Sequence, residues 1–557
     1  MEVVTPSGFR DVLMDEASKR ERVLRSVQDG FAARGYELIE TPTLENAQVM
    51  QMGARMELSS FKFFDGGGTL VTMRPDVTLQ VARICATRLK GQPGPFRFRY
   101  SQRIFRETGG ISSAAERERT QVGVECIGES GPRADAEVIE LFARSLEASG
   151  VSDFKISLAT VSVLRAMLAS SRAPQAWIDR VLEAFHLSDF VAIDQLTASA
   201  DPSEVAPVFA QAIGKLASIR GGREAIDAVR ALAEPLGCAD GLDDLRDTFD
   251  LLAEAGLGPL LVVDFSVMSA FDYYTGAVFE AFCPNLGASL GGGGRYDDLL
   301  AIYGDARPAA GFAFFLEDAL AASEPAVPGE RPLRIAVPKG SLYEEAVAAL
   351  GRAGLDVAGL DDPGRSLIVR NPGVEYVIVR PTDAPVFVEL GAADCGICGA
   401  DSLIESEANV VKLADLRFGS CRFVVAQLAD SAEAVAARYR RHGSLRVATK
   451  YPGIAAAHFA RAGTQVEIVK LHGNIELGPL TGLSECIVDI TATGATLREN
   501  NLVVVDEVLS STARFFANDG AFRTDPRVRE LAAELSRAAS ARELGVTAGS
   551  TDVRKGE

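Results

Sequence analysis

The stretch ELGPLTGLSECIVDITATGATL, residues 476–497, decides the fold of the second half of this chain. Its apolar run at 486–490 is typical of a buried parallel strand, and the small and hydroxylated residues after it lead into a segment that favours a helix. A loop between such a strand and helix presents free backbone N–H groups and the positive end of the helix dipole, so it suits a phosphate. Asp489, at the carboxyl end of the strand, can face a ribose hydroxyl or a metal ion. The alternative is an ordinary strand-to-helix turn rich in threonine and glycine.

Length and composition indicate a globular protein with several domains. A chain of 557 residues is too long for one hydrophobic core. The formal net charge of −19 argues against a general nucleic-acid-binding surface, because phosphate neutralisation needs clustered lysine and arginine. The first residues lack the apolar core of a signal peptide and no apolar run reaches transmembrane length, so a cytoplasmic protein without membrane contact is expected.

The cysteines and histidines do not suggest a structural metal site. One C-x-x-C pair, Cys395 and Cys398, lacks a second pair and lies in a strand-like run, so small buried hydrophobic side chains are the better interpretation. The four histidines show no spacing typical of metal ligands.

The pattern of the chain predicts two halves joined by a linker. The segment 321–332, rich in proline and charge, separates two patterned regions. We therefore predict a domain at 1–320, a linker at 321–332, a domain at 333–524, and a C-terminal helix with a polar tail at 525–557. In the first half helices and strands occur in blocks, which favours an α+β domain on an antiparallel sheet. In the second half they alternate, which favours two small α/β lobes with a cleft between them.

Individual elements follow from the periodicity of apolar residues. In the first half we predict strands at 96–100, 121–127, 260–265 and 277–282, and helices at 16–35 and 134–149. In the second half we predict strands at 334–338, 366–370, 376–380, 395–398, 422–427, 445–449, 466–470 and 487–490, and helices at 342–353, 384–390 and 453–462.

Cations follow several strands of the second half. Lys339 stands between the first strand of this half and a helix, and Arg365 and Arg380 lie at strand ends. Ligands bind at the carboxyl ends of strands in open α/β sheets, so these cations are candidates for phosphate contacts. The glycine-rich run at 391–401 adds a candidate binding loop. Each arginine, taken alone, is also compatible with a solvated surface charge.

Together these motifs resemble the short-form catalytic subunit of ATP phosphoribosyltransferase, the first enzyme of histidine biosynthesis. The resemblance covers roughly residues 333–520, and the segment 476–497 is its most specific part. Further matches are RPTD at 380–383, GAADCGI at 391–397, ATKYP at 448–452 and STAR at 511–514. Ser341 departs from the family, in which an arginine usually follows the lysine-glycine turn.

The resemblance implies that ATP and phosphoribosyl pyrophosphate react to give phosphoribosyl-ATP and pyrophosphate. It implies Mg²⁺ carried by the substrate phosphates, with Asp489 as a candidate ligand, and no cage made of protein ligands alone. It assigns catalytic roles to Arg365, Arg380 and Asp489. It assigns the phosphoribosyl pyrophosphate site to Asp489, Thr491, Ala492, Thr493, Gly494, Ala495 and Thr496. It assigns ATP binding to Lys339, Arg380, Asp394 and Gly396.

The first half carries a second set of motifs, in a fixed order. They are TPSGFRD at 5–11, RPDVTL at 74–79, RIFRE at 103–107, QVGVE at 121–125, FDYYTG at 271–276 and GGGRYD at 292–297. Over about residues 5–322 this half resembles the catalytic core of histidyl-tRNA synthetase. It is therefore similar to the regulatory subunit on which short-form transferases depend.

Two departures from the synthetase pattern argue against aminoacylation. Ser269 stands where a synthetase has an arginine, three residues before Asp272, and Asp318 stands where the late class II motif has another. Adenylate formation needs such cations to stabilise charge on the α-phosphate of ATP. The anticodon-binding domain expected after the core is also replaced by the transferase. Arg106 is retained.

The positions that bind histidine in the synthetase motifs are kept in this chain. By this match the regulatory histidine-binding residues are Asp76, Thr78, Arg106, Gln121, Glu125 and Tyr274. We expect histidine to bind there and to inhibit the transferase through coupling between the two halves. A role of the first half as a scaffold alone is the alternative.

The sequence thus predicts a fusion of a regulatory subunit with a catalytic subunit. Its fold would be an α+β class II synthetase-like domain followed by a two-lobed α/β phosphoribosyltransferase domain that resembles solute-binding proteins. Both families associate, so a homo-oligomer is expected, with no nucleic-acid partner. The competing functions are a histidine-charging synthetase-like enzyme and a non-enzymatic ligand-binding module.

Overall fold

The computed structural model of the chain describes residues 4–53, 60–107, 116–267, 273–284, 286–324, 331–361, 364, 366–491 and 494–543. Contacts within the chain divide it into two compact units. The first consists of residues 1–329 with two later segments, 410–412 and 518–526, and the second of residues 330–409, 413–517 and 527–557. Part of the predicted linker and the polar tail lie outside the described residues.

Strands and helices occur along the whole of the described chain. The strands are β1 (Glu37–Leu38), β2 (Leu44–Asn46), β3 (Lys62–Phe64), β4 (Leu70–Met73), β5 (Phe96–Phe105), β6 (Glu118–Ile127), β7 (Lys155–Thr160), β8 (Arg220–Gly221), β9 (Leu261–Asp264), β10 (Ala277–Phe282), β11 (Gly291–Arg295), β12 (Ala309–Phe315), β13 (Leu333–Pro338), β14 (Ile368–Asn371), β15 (Val374–Val379), β16 (Cys395–Gly399), β17 (Val411–Asp415), β18 (Cys421–Leu428), β19 (Leu445–Thr449), β20 (Val466–Lys470), β21 (Cys486–Thr491), β22 (Leu502–Ser511) and β23 (Ala513–Ala517). The α-helices are α1 (Met14–Ala33), α2 (Ala47–Gly53), α3 (Thr78–Thr87), α4 (Pro132–Ala148), α5 (Val161–Ser170), α6 (Gln175–His186), α7 (Phe190–Ala198), α8 (Pro207–Ser218), α9 (Glu224–Ala233), α10 (Leu242–Glu254), α11 (Leu316–Ala322), α12 (Tyr343–Arg352), α13 (Ala384–Glu389), α14 (Ala400–Ser406), α15 (Ala432–His442), α16 (Pro452–Arg461), α17 (Leu477–Leu480), α18 (Ala495–Glu499), α19 (Asp519–Thr524) and α20 (Pro526–Glu543). Short 3-10 helices occur at Glu234–Leu236, Gly258–Leu260, Leu300–Ile302 and Gly340–Leu342. None of the described helices is both long and apolar enough to span a membrane.

The first unit is built on a nine-stranded sheet in the order β1-β5-β6-β12-β11-β10-β7-β9-β8. Its neighbours pair antiparallel except β1 with β5 and β7 with β9. Phe142 of α4 packs on this sheet, with its ring centroid 5.6 Å from that of Phe279 and 5.0 Å from that of Phe312. Helices of the first half therefore cover a largely antiparallel sheet.

The strand β11 consists of glycines followed by Arg295, a composition that strand propensity does not favour. A Cβ atom on Gly293 would lie 2.1 Å from the carbonyl oxygen of Gly311, and one on Gly294 would lie 2.6 Å from that of Ala277. The neighbouring strands approach this backbone too closely for any side chain. Close packing selects glycine here, which is why apolar periodicity does not predict the strand.

The second unit contains two mixed sheets, in the orders β14-β15-β13-β16-β23-β17 and β20-β19-β21-β18-β22. In the first, β13 runs parallel to β15 and β16; in the second, β19 runs parallel to β20 and β21. The strands predicted at 445–449 and 466–470 have those bounds as β19 and β20. β22 is not predicted, because its consecutive exposed valines 503–505 show no alternation.

Both faces of the five-stranded sheet are covered, which explains the continuous apolar run in β21. On the neighbouring strand β18, Phe423 packs into the core on one face and Val424 into the core on the other. Val488 and Ile487 of β21 divide between the same two cores. A strand buried on both faces has no polar side and reads as an unbroken hydrophobic run. Asp489 and Thr491 therefore lie at the carboxyl end of a strand that is buried on both faces.

Candidate functional site

A cavity of about 230 Å³ in the first unit collects every residue predicted to bind histidine. Asp76 precedes α3 and Thr78 begins it, Arg106 follows β5, Gln121 and Glu125 lie on β6, and Tyr274 precedes β10. These residues come from distant parts of the sequence, and all six line this one cavity: Asp76, Thr78, Arg106, Gln121, Glu125 and Tyr274. Gln121 and Glu125 are four residues apart on one strand, so their side chains point to the same face.

Glu125 is the most heavily hydrogen-bonded acid of the cavity. Its carboxyl group accepts a hydrogen bond of 2.7 Å from the Thr78 hydroxyl and others from the hydroxyl groups of Tyr100 and Tyr296. Burial raises the pKa of Glu125 to about 8, although the hydrogen bonds from Tyr296 and Thr78 act to lower it. The group can therefore present a neutral or an ionised carboxyl near neutral pH.

Gln121 fixes the second acid of the cavity. Its Nε2 donates to Oδ2 of Asp76 over 2.9 Å, and its Oε1 accepts from the backbone N–H of Val77 over 3.0 Å. Both ends of the amide are thus satisfied in one orientation. Asp76 is held rigidly, with its carboxylate facing the cavity.

Arg106 supplies a cation to the same cavity. Its Nε donates to the carbonyl oxygen of Pro75 over 3.0 Å, and its guanidinium lies 5.6 Å from the ring centroid of Phe315. Burial lowers the pKa of Arg106, whereas Asp76 acts to raise it. The carboxyl groups of Asp76 and Glu125 and the guanidinium of Arg106, on the wall of one cavity, suit a ligand that carries both an anionic group and N–H donors.

The sequence motifs do not assign Tyr296 or Glu280 to this cavity, although both line it. Tyr296 lies within the quoted motif at 292–297. Glu280 is the carboxylate on the otherwise apolar strand β10, and an isolated charge on a buried strand is a usable signal.

The phosphate-loop prediction falls at the end of β21 and the start of α18. Gly494 has φ of 71°, a left-handed conformation that favours glycine, and its N–H donates to the Thr491 hydroxyl over 2.8 Å. Ala495 and Thr496 begin α18, a helix of five residues. Ala492 and Thr493 lie outside the described residues.

Asp489 is partly buried at the carboxyl end of β21. Burial raises its pKa; the hydrogen bond from the Ile490 N–H and the charge of Lys450 act to lower it. β19 runs parallel to β21 with Thr449 opposite Val488, so Lys450, the next residue, stands beside Asp489. Lys450 belongs to the motif ATKYP, which is part of the sequence resemblance. The resemblance itself assigns no role to Lys450.

Lys339 and Arg380 lie together at the carboxyl edge of the six-stranded sheet. The N–H of Lys339, after β13, donates to the carbonyl oxygen of Val379 over 2.7 Å, and Arg380 follows Val379 directly. Both side chains are exposed. The structure therefore brings these two predicted phosphate ligands to one place, whereas Asp489 belongs to the other sheet. Arg365 lies outside the described residues.

Asp394 lies directly before β16 and Gly396 lies within it, apart from the end of β13 where Lys339 stands, and their contact with ATP stays a prediction. Asp394 precedes β16, accepts from the N–H of Arg334 over 2.8 Å and pairs with Arg331. It lies at the amino end of parallel strands, roughly 16 Å along the sheet from Lys339 at a strand rise of about 3.3 Å per residue. A Cβ on Gly396 would lie 2.9 Å from that of Ala336, so this glycine serves close strand packing.

Comparison with known proteins finds two families along the chain. The family model for histidyl-tRNA synthetase matches residues 8–319, and the model for ATP phosphoribosyltransferase matches residues 380–537. An ATP phosphoribosyltransferase of Rubrobacter xylanophilus is 51% identical over 208 residues, which cover 37% of this chain and 96% of that protein. An ATP phosphoribosyltransferase regulatory subunit of Moorella thermoacetica is 36% identical over 319 residues, which cover 57% of this chain and 81% of that protein.

The chain belongs to the histidyl-tRNA synthetase family in its first half and to the ATP phosphoribosyltransferase family in its second. It is a fusion of a regulatory-subunit-like half with a pentosyltransferase of histidine biosynthesis. A crystal structure from Bacillus halodurans, described as an ATP phosphoribosyltransferase regulatory subunit or histidyl-tRNA synthetase, has a TM-score of 0.54 and 26% identity. It covers 68% of this chain and 98% of its own. The first half accordingly has a class II synthetase-like fold.

Asp318 replaces a cation of the synthetase pattern and forms an ion pair in the cavity. This carboxylate forms an ion pair with Arg119, whose guanidinium lies 3.8 Å from the ring centroid of Phe315. Burial raises the pKa of Asp318, and Arg119 lowers it. Where the synthetase pattern has a cation, the cavity of this family member holds an anion that neutralises a neighbouring arginine. Ser269 and Asp272 lie outside the described residues.

Proposed function

We propose that the second half transfers the phosphoribosyl group of phosphoribosyl pyrophosphate to N1 of the adenine of ATP, and that histidine bound in the cavity of the first half inhibits this reaction. The observation that carries the regulatory part is the convergence of six predicted residues on one cavity of about 230 Å³. Both parts rest on residues carried over from two families, and each is testable on the same chain.

The transfer reaction depends on positioning two polyanions. Departure of pyrophosphate builds oxocarbenium character at C1 of the ribose, and adenine N1 is already nucleophilic, so no general base is required. Lys339 and Arg380, side by side at one strand edge, would stabilise the leaving group or the phosphates of ATP, as would Arg365. The loop 491–496 would hold the 5′-phosphate through its N–H groups, and Asp489 would face the ribose hydroxyls.

The residues present are compatible with magnesium carried by substrate. Within the part of the chain that the structure describes, no group of three or more His, Cys, Asp or Glu side chains is arranged to hold a metal ion. Mg²⁺ typically takes one or two carboxylates together with substrate phosphates and water. Asp489, at the end of β21, would be such a carboxylate. The metal would neutralise charge on the pyrophosphate.

The regulatory cavity suits histidine by its chemistry. The carboxylates of Asp76 and Glu125 can accept from an ammonium group and an imidazole N–H, and the guanidinium of Arg106 can pair with a carboxylate. Thr78, Gln121 and Tyr274 complete the contacts. Asp318 stands where adenylate formation would need a cation, and it pairs with Arg119, so this half would bind histidine without activating it.

We further propose a cytoplasmic homo-oligomer in which the two sheets of the second unit form lobes like those of solute-binding proteins. The predicted domains at 1–320 and 333–524 remain the proposed functional division.

One assay tests both parts of the proposal. Formation of phosphoribosyl-ATP from ATP and phosphoribosyl pyrophosphate is followed with and without histidine. No product would refute the transferase assignment. Product formation that histidine does not inhibit would refute the sensor assignment alone. Charging of tRNA with histidine by the same preparation would favour the synthetase-like alternative.

A further inference from the structure

A short segment from the transferase half belongs to the first unit. Residues 518–526, which we name the docking segment, follow β23 and lead into α20, yet their contacts place them with residues 1–329. The segment contains α19, which is capped by the Asn518 side chain accepting from the N–H of Ala521 over 2.7 Å.

Arg523 anchors the docking segment through a buried ion pair. Its Nη1 donates to Oδ2 of Asp264 over 2.7 Å and to the Ser266 hydroxyl, and the side chains of Arg523 and Asp264 are each only 2% exposed. Arg220 lies 3.1 Å from the same carboxylate and donates to the carbonyl oxygen of Arg523. Charged groups buried to this extent are retained only where each is paired.

Gly520 fits the segment to a loop that also forms the cavity wall. The N–H of Gly520 donates to the carbonyl oxygen of Gly287 over 3.3 Å. A Cβ on Gly520 would lie 1.9 Å from the carbonyl oxygen of Leu286. The residues that follow in this loop, Ala288, Ser289 and Gly291, line the cavity. One loop thus contacts the docking segment at 286–287 and lines the ligand cavity with Ala288, Ser289 and Gly291.

Glu280 forms a second connection between the cavity and the segment. It lines the cavity, and it interacts electrostatically with Asp519 and Arg523 of the segment and with Asp264. Burial raises the pKa of Glu280 to about 7; Asp519 and Asp264 add to the rise and Arg523 opposes it. One residue of the cavity wall therefore interacts with two charged side chains of the docking segment.

We propose that the docking segment couples the ligand cavity to the transferase. A ligand that occupies the cavity acts on Glu280 and on the loop 286–291, and so changes the contacts that hold Arg523 and Gly520. Because the segment continues directly into β23 and α20, any displacement is passed to the transferase fold through the backbone. This inference rests on the proposed histidine sensing and names its route.

The test compares three variants of the full chain with the wild type. The double variant Arg523→Met/Asp264→Asn removes both members of the anchoring pair, while Arg220, 15% exposed, keeps its hydrogen bond to the carbonyl oxygen at position 523. Gly520→Ala disturbs the fit to Leu286. The control, Arg223→Met/Asp250→Asn, removes an exposed ion pair of the same unit, whose side chains are 46% and 43% exposed. Histidine binding is measured by calorimetry and inhibition by product formation.

We expect both docking-segment variants to bind histidine as the wild type does, while the concentration that gives half-inhibition rises about tenfold or inhibition is lost. The control should behave as the wild type. If histidine inhibits both variants fully, coupling through the docking segment is overturned, whereas the proposed histidine sensing is not affected. If the variants lose both histidine binding and inhibition by histidine, the segment contributes to the binding site itself. That result would also overturn the proposed coupling route. A wild-type chain that histidine neither binds nor inhibits would refute the proposed sensing itself.

Discussion

Thr78, at the start of α3, donates a 2.7 Å hydrogen bond to the carboxyl group of Glu125 on β6. The hydroxyl groups of Tyr100 and Tyr296 converge on the same carboxyl group. An acid held by three hydroxyl donors keeps one orientation, so the cavity contains a positioned acceptor before any ligand arrives.

Glu125 should make the stability of the chain depend on pH. Its folded pKa of about 8 lies above the ordinary value, so the folded state binds more protons than the unfolded state between the two values. The free energy of unfolding should therefore fall as pH rises through this window, by at most about 1.4 kcal/mol per pH unit. Denaturant unfolding of wild type and Glu125→Gln at several pH values measures the difference. If the free energy of unfolding changes equally with pH in both proteins, the raised pKa of Glu125 is contradicted.

Substitution in the cavity should weaken histidine binding. Asp76→Asn removes a carboxylate that would accept from the ligand, and Glu125→Gln removes an acid with a pKa of about 8 that would ionise when a cationic ligand binds. A charged hydrogen bond contributes about 1.5–3 kcal/mol, which corresponds to at least about tenfold in affinity. Glu21→Gln is the control, because the side chain of Glu21 is 69% exposed in its pair with Arg25. Calorimetric titration with histidine measures all three. Unchanged affinity in both cavity variants would place the ligand elsewhere.

Gly494→Ala should slow the transferase. The φ of 71° is unfavourable for any residue with a Cβ, and relaxation of the loop would move the N–H groups offered to the 5′-phosphate. Gly443→Ala is a matched control: Gly443 has φ of 73° at the end of α15, with open space around it. Steady-state kinetics should show a lower kcat/KM for phosphoribosyl pyrophosphate in the first variant alone. Equal losses in both would indicate backbone strain without a role in binding.

Lys450 should influence the pH dependence of the transferase rate. Removing its charge in Lys450→Gln should raise the pKa of Asp489 further, so the acid limb of the rate profile moves to higher pH if Asp489 acts ionised. Lys470→Gln is the control, an exposed lysine at the end of the neighbouring strand β20. A profile of kcat/KM against pH distinguishes the two. A Lys450→Gln profile identical to wild type would remove Lys450 from the site.

The sequence pattern predicts those elements whose bounds are set by neighbouring residues in the chain. The strands β10, β19 and β20 have the predicted bounds because apolar runs bounded by polar turns define them. Family motifs identify residues that meet in one cavity although Asp76 and Tyr274 are far apart in sequence.

Some contacts leave no signal in the sequence pattern. The motif match places Asp394 among the predicted ATP ligands, but it does not reveal that this carboxylate lies before β16 and pairs with Arg331. The contact of Arg523 with Asp264 leaves no trace in either segment, because an ion pair across 259 positions produces no periodicity.

The docking segment also limits how this chain can be taken apart. A fragment that stops before β13 would keep Asp264 in the interior but lose the Arg523 that neutralises it, and would uncover the loop on which Gly520 rests. A fragment that begins at β13 would carry an exposed Phe522, whose ring centroid lies 5.4 Å from that of Phe190 in the intact chain. A single cut before β13 therefore divides the buried pair of Arg523 and Asp264 between two fragments.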